Sequence, residues 1–199
     1  MCIRDRCYTK SMKDSLTYSN VNFIDKNMTS IRGSLECGHN VTIDINSIFE
    51  GNNVIGNNVQ IQAGCIIKNS KIGNNTIVKP FTSIENTIIG MNCSIGPYAN
   101  LRNENIIKNN VSIGNYVEIK KSYIGDRVRI NHLSFIGDAF IEENVIIGAG
   151  TITCNHDGKM HQNTTIKKGA YVGSGCKLIA PIILGENSTI GSGSVITMD

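Results

Sequence analysis

The chain contains no tryptophan, only 3 prolines in 199 residues, and aromatic side chains make up 6% of it. A core built from this composition must be filled by aliphatic side chains. No apolar run approaches the length that spans a bilayer, and no apolar signal-peptide core is visible, so the chain reads as soluble and cytoplasmic with no membrane partner. An excess of one charge is also missing. The net charge is +3 with both signs mixed, which gives no electrostatic footprint for nucleic acid. The 7 cysteines are an odd number without a CxxC pair, which argues against a disulfide framework and fits a reducing compartment.

What is abundant is more telling. There are 33 isoleucines, 25 asparagines and 20 glycines. That is too much β-branched residue for a helical bundle and too much isoleucine for a disordered chain. From Ile55 the chain reads IGNNVQ, IQAGCI, IKNSK, IGNNTI, VKPFTS and onward to IGAGTI at Ile147. It resumes at Ile166 with IKKGAY, VGSGCK, LIAPII, LGENST and IGSGSV, and looser copies begin at Ile31, Cys37, Ile43 and Ile48. A period of six fits neither an amphipathic helix nor a plain alternating strand. It fits a coil with three flat faces, about 18 residues per turn, of the hexapeptide β-helix type. The first-position Ile side chains stack inward, and Gly and Asn serve the corners because they tolerate left-handed backbone. Cys65, Cys93 and Cys176 share one small apolar position of the repeat and read as buried hydrophobes. The predicted fold class is all-β, a three-sided parallel β-helix.

Two segments break the period. Residues 1–29 carry none and read as a tail or linker, with a short helix near Lys10 to Thr17. The first six residues look unrelated to the rest of the chain. Residues 30–199 form the repeat domain. Inside it, Thr153 to Thr165 supplies 13 residues where six would complete a face, so an inserted loop is expected at 153–165. Irregular loops on rigid scaffolds often carry function.

Because every third unit returns to the same face, the repeat places side chains in vertical files about 4.8 Å per step. One file holds Pro97, Asn115, His132, Ala149, Ser174 and Ser192. Another holds Arg102, Lys120 and Gly137. Two cations one coil apart repel unless an anion or water lies between them, so a solvated pair and an anion site both fit this spacing. His132 is a lone outward histidine, often without a role. The small residues above it would nevertheless leave a narrow groove along the axis in which a long thin ligand could lie.

The stretches IGPYANLR, NYVEIKK, NHLSFIGDA, GAGTITCN-x-DG and LIAPIILGENSTIGSGSVI carry a specific resemblance from about Asn20 onward. They resemble the C-terminal acetyltransferase domain of the bacterial bifunctional N-acetylglucosamine-1-phosphate uridylyltransferase/glucosamine-1-phosphate N-acetyltransferases. The resemblance implies a left-handed coil and a homotrimer. It implies acetyl-CoA as co-substrate and glucosamine 1-phosphate as acceptor, in the route to UDP-N-acetylglucosamine for peptidoglycan and lipopolysaccharide. By the same resemblance His132 falls on the catalytic base, and Arg102 and Lys120 on sugar-phosphate contacts. Ala149, Asn155, His156, Ser174 and Ser192 fall on acetyl-CoA contacts, with Asn155 and Ser174 also facing the transition state. Phe135 and Ile146 occupy substrate positions where the family usually has Tyr and Asn, while His156 and His161 replace Tyr and Lys. The uridylyltransferase domain, with the Mg²⁺ it uses, and the family's C-terminal arm beyond Asp199 are not in this sequence, so no metal is expected and no UDP-sugar synthesis.

The chemistry agrees with these placements. An amine must lose a proton to attack a thioester, and histidine is the side chain that can accept it at neutral pH. Glu118 is a candidate to orient His132, though the files do not set them side by side. The amide of Asn155, or a backbone N–H near Ser174, can stabilise the tetrahedral oxyanion. Arg102 can clamp a phosphate in two places while Lys120 adds a point charge. Two rivals stand beside this reading: a zinc enzyme of the γ-carbonic anhydrase kind using His132, His156 and His161, and a non-catalytic or impaired trimeric scaffold.

Overall fold

A computed structural model describes residues 21–198. The helix expected near Lys10 to Thr17 lies outside the described residues. Within them the chain winds as a three-sided prism of about 10 turns, a left-handed parallel β-helix, built from strands of two to eight residues. One face, called A here, is a ten-stranded sheet running from Val21–Phe23 to Thr189–Ile190. In it Ile95, Ile113, Ile130, Ile147, Val172 and Ile190 follow one another in register. All but Ile190 are buried. The expected inward stack of first-position residues is therefore the core itself.

The other two faces, B and C, belong to one sheet, because Ser30–Cys37 and Ile48–Ile55 each run across both without a break. The bend between the faces falls at Gly33 and Gly51, whose φ values are +136° and +68°. A Cβ on Gly33 would come within 2.2 Å of the Gly51 carbonyl oxygen, so only glycine lets the two coils stack at this corner.

Asparagine has a clear use at the corners. Asn40, Asn58, Asn75 and Asn92 all have φ of 56–57°. Their amides form a ladder from coil to coil, each Nδ2 donating to the next Oδ1 at 3.1, 3.0 and 3.2 Å. A second ladder runs inside the B/C corner. Ser70 N–H donates to Asn53 Oδ1, Thr87 N–H to Ser70 Oγ, Ser122 N–H to Asn105 Oδ1 and Ala139 N–H to Ser122 Oγ. Side chains thus satisfy backbone donors that the turns leave without strand partners.

The three cysteines of the shared position are buried, and their thiols donate to the carbonyls of Lys79, Lys108 and Gly191 at 3.1–3.2 Å. Burial pushes the Cys65 thiol up to about 11 and that of Cys37 to about 12, so both stay protonated.

Two positions depart from the count. Val21 is buried and pairs with Val41, so among the described residues the prism takes in Val21 as well. Between Ile43 and Ile55 the inward residue is Phe49, and Ile48 is half-exposed, because the strict six-residue step from Ile43 lands on Phe49 and then on Ile55. Between Thr153 and Ile166 the chain has more residues than one face needs. Thr153 still faces the core and pairs with Leu178, and Ile166 resumes the stack between Ile141 and Leu184. The excess lies in residues 156–162, where His156 and His161 form an isolated antiparallel bridge. No helix among the described residues is long and apolar enough to cross a membrane.

Candidate active site

The first file is assembled as the period requires. Asn115 and His132 are register partners. Above them, Gly150 N–H donates to the carbonyl of His132, Gly175 N–H to that of Ala149 and Gly193 N–H to that of Ser174, so each residue of the file sits one coil over the last. His132 is exposed, and its Nδ1 lies 2.7 Å from Asn115 Oδ1. An amide oxygen only accepts, so Nδ1 carries the proton and the Nε2 lone pair is directed outward. This is the tautomer a general base needs. Asn115 is the side chain that holds the His132 ring, a place the sequence reading considered only for Glu118. The signal was available, since Asn115 occupies the same file one coil earlier.

Glu118 is committed elsewhere. Its Oε1 accepts from Arg102 Nε at 2.7 Å and also lies 2.7 Å from the second guanidinium nitrogen. Arg102, Lys120 and Gly137 are in register on face B, as expected. The repulsion between the two cations is relieved on the Arg102 side by Glu118, and among the described residues no carboxylate lies within ion-pair distance of Lys120. The pair therefore presents one charge already balanced and one available for an incoming anion.

Phe135 and Asn155 converge on Gly137. A Cβ on Gly137 would lie 2.7 Å from Asn155 Nδ2 and 2.8 Å from the Phe135 ring. The missing side chain is what lets these groups meet beside Lys120. Asn155 is buried and donates from Nδ2 to Asp138 Oδ2, leaving one amide hydrogen uncommitted. Ile146 lies on face A between Arg129 and Tyr171, away from Phe135 on face B. Ser174 and Ser192 are exposed and linked, Ser174 N–H donating to Ser192 Oγ at 3.2 Å.

The groove next to this file is made of absence. At the corner position after His132 the chain has Leu133, and in the coils above it Gly150, Gly175 and Gly193, all three at φ of 73–75°. A Cβ on Gly150 would meet nothing closer than 3.8 Å, and one on Gly193 nothing within 4 Å. The backbone is bare along this edge, flanked by Ala149, Ser174 and Ser192. Two cavities of about 330 and 310 Å³ on the prism both lie against Tyr123 and Phe140, on face C. Beside His132 the prism edge is bare backbone at Gly150, Gly175 and Gly193.

His156 and His161 sit in the excursion at the B/C corner, their rings 4.9 Å apart, whereas His132 is at the A/B corner. The three histidines do not converge, and among the described residues no three His, Cys, Asp or Glu groups are placed to hold a metal ion.

A pattern described as bacterial transferase hexapeptide (six repeats) matches residues 163–197, and one described as GMPPB C-terminal domain matches residues 31–111. The chain is 49% identical over 195 residues to the bifunctional protein GlmU of Psychrobacter arcticus, covering 98% of this chain and 43% of that protein. It is 51% identical over 193 residues to the GlmU of another Psychrobacter species, covering 97% of this chain and 42% of that protein. Among solved structures, the UDP-N-acetylglucosamine acyltransferase of Francisella novicida superposes with a TM-score of 0.59 at 17% identity, covering 83% of this chain and 65% of that one. That likeness is one of fold. Repeat and coil together define a hexapeptide-repeat β-helix protein. Within that class the chain belongs with the C-terminal part of the bifunctional GlmU proteins, spanning less than half their length.

Proposed function

We propose that this chain transfers the acetyl group of acetyl-CoA to the amine of glucosamine 1-phosphate, giving N-acetylglucosamine 1-phosphate. The reading places it in the cytoplasm, on the route to UDP-N-acetylglucosamine for the cell wall. The observation that carries it is His132, held by Asn115 with its basic nitrogen outward at the foot of an edge bare of side chains. The bare edge suits an extended thioester, with Ala149, Ser174 and Ser192 along it, and His156 at the B/C corner meets the donor only if the donor reaches that corner. Arg102 and Lys120 hold the acceptor phosphate and His161 shares it, while Phe135 on face B and Ile146 on face A contribute only carbon. Nε2 of His132 takes the ammonium proton. The neutral amine bonds to the thioester carbon; as the C–S bond breaks, the amine's second proton goes to the sulfur, so coenzyme A leaves as the thiol, and His132 returns the first proton to solvent. Asn155, through its uncommitted amide hydrogen, and the backbone at Ser174 stabilise the oxyanion between those steps.

The assembly we propose is a homotrimer. His132 and the Arg102/Lys120 pair lie on different faces and the edge beside His132 is bare, so a neighbouring copy is needed to close the site.

The test is release of thiol from acetyl-CoA in the presence of glucosamine 1-phosphate and a panel of related amino-sugar phosphates. His132→Ala should lower turnover by about a thousandfold. Turnover that survives the substitution would remove His132 from the chemistry. The hydrocarbon at Phe135 and Ile146 favours a second reading, an impaired trimeric scaffold, and silence of the assembled trimer across the whole panel would establish that one instead.

A further inference from the structure

At the B/C corner five successive coils take a left-handed backbone, at Asn69, Asn86, Asn103, Lys121 and Asp138, with φ between 47° and 60°. Asp138 differs from the others in burial. Its side chain is 4% exposed. A carboxylate withdrawn from water is costly unless its oxygens are met by donors. Three groups meet them. Oδ2 accepts from Asn155 Nδ2 and lies 3.2 Å from His161 Nδ1, and Oδ1 lies 3.7 Å from Lys121 Nζ. The Asp138 carbonyl also accepts from Thr164 N–H at 3.2 Å.

These partners are not scattered. Asn155 opens the excursion, His161 closes it, and Thr164 is where the chain rejoins the prism. The remaining polar contacts of residues 156–162 are among the excursion's own residues. Asp157 Oδ1 accepts from Lys159 and Met160 N–H, His156 Nδ1 accepts from Gly158 N–H, and Gln162 N–H donates to the Asn155 carbonyl. The excursion is folded on itself and tied to the wall at one carboxylate. At this coil the regular ladder is also broken, since Asn155 N–H donates to Thr153 two residues back and not to a neighbouring coil.

We infer that Asp138 is a positioning residue that anchors the excursion and so sets the place of Asn155 and His161 in the acetyl-transfer site. The inference rests on the acetyltransferase reading for its catalytic consequence, though not for the anchoring. Asp138 is covered by Asn155, and its buried side chain is out of reach of a ligand on the surface. It acts through the two residues it holds.

Asp138→Asn is the sharp test, because asparagine keeps the size and tolerates the left-handed backbone while removing the charge. Measured in the 199-residue chain, kcat/KM should fall by about ten- to a hundredfold, the expected scale for a reactive group displaced by an ångström. Trypsin should cut after Lys159 at least about fivefold faster, read from fragment masses, as the local opening becomes easier. Combining Asp138→Asn with Asn155→Ala should cost little beyond Asn155→Ala alone, since two changes on one path do not add. A purely structural role would give additive losses. Unchanged kinetics and unchanged cleavage at Lys159 in Asp138→Asn overturn the inference. If that variant fails to fold, His161→Ala, at a side chain 49% exposed, takes its place with the same two readouts, and indifference in both again overturns it. A wild-type chain without thiol release defeats the acetyltransferase reading while the cleavage rate at Lys159 still reports on the anchor.

Discussion

The A/B corner has two halves with one backbone and opposite surfaces. Below His132 it carries Phe81, Tyr98, Tyr116 and Leu133, and above it Gly150, Gly175 and Gly193. All seven have positive φ, between 51° and 75°. For the larger side chains that conformation costs roughly 1–2 kcal/mol each. The lower half recovers part of this by stacking, with ring centroids 5.2 Å apart from Phe81 to Tyr98 and 5.3 Å from Tyr98 to Tyr116. Yet these rings are 56%, 47% and 57% exposed on a single prism, an apolar stripe of the kind a second copy covers. The upper half bears no such strain and leaves the edge bare. One corner thus carries an exposed aromatic stripe below and bare backbone above, with His132 at the boundary. The difference lies wholly in which side chain follows the file, not in the path of the chain.

That contrast can be broken on purpose. Gly175→Phe would extend the lower half upward. The backbone there is already in the left-handed region that Phe81 adopts, so the coil should still form, while the ring covers the bare edge. Thiol release should fall by about a hundredfold, mostly as a raised KM for acetyl-CoA, with circular dichroism unchanged. Normal KM in a folded variant would mean that the donor lies elsewhere. A smaller effect is expected at the boundary itself. Asn115→Ala removes the acceptor that holds the His132 tautomer, and kcat should drop by about tenfold with KM for both substrates nearly constant. Equal loss in KM would make Asn115 a binding residue and not an orienting one. The mildest change comes from Tyr98→Asn with Tyr116→Asn, which relieves the left-handed strain and removes the stack. Sedimentation should then show a lighter species at low protein concentration, with thiol release falling in parallel as the trimer dissociates. A mass that does not depend on these tyrosines would detach the lower half from assembly.

Much of this was legible by counting. A repeat of six with branched aliphatics at its first position can bury them only by turning a corner between units, so the faces, the core and the vertical files follow from arithmetic. Asn115, His132, Ala149, Ser174 and Ser192 fall on one edge in the structure as in the count, and so do Arg102, Lys120 and Gly137. Counting was less secure where the repeat is loose. It did not take in Val21, and at Ile48 it chose the neighbour of the residue that faces inward. It also could not say where outward side chains turn. Glu118 closes on Arg102 and Asn115 on His132 because those partners lie within reach one coil away, a choice made by distance among exposed groups that no period encodes.

The sequence by itself determined the prism, since periodic burial of isoleucine and left-handed corners at asparagine and glycine are local requirements that repeat until one arrangement satisfies them all. Only the tertiary structure decided how the excursion at residues 156–162 is fastened. Its residues obey no period, and a single buried carboxylate at Asp138 gathers Asn155, His161 and Lys121 from separate points in the chain because each of its oxygens must find a donor once water is gone.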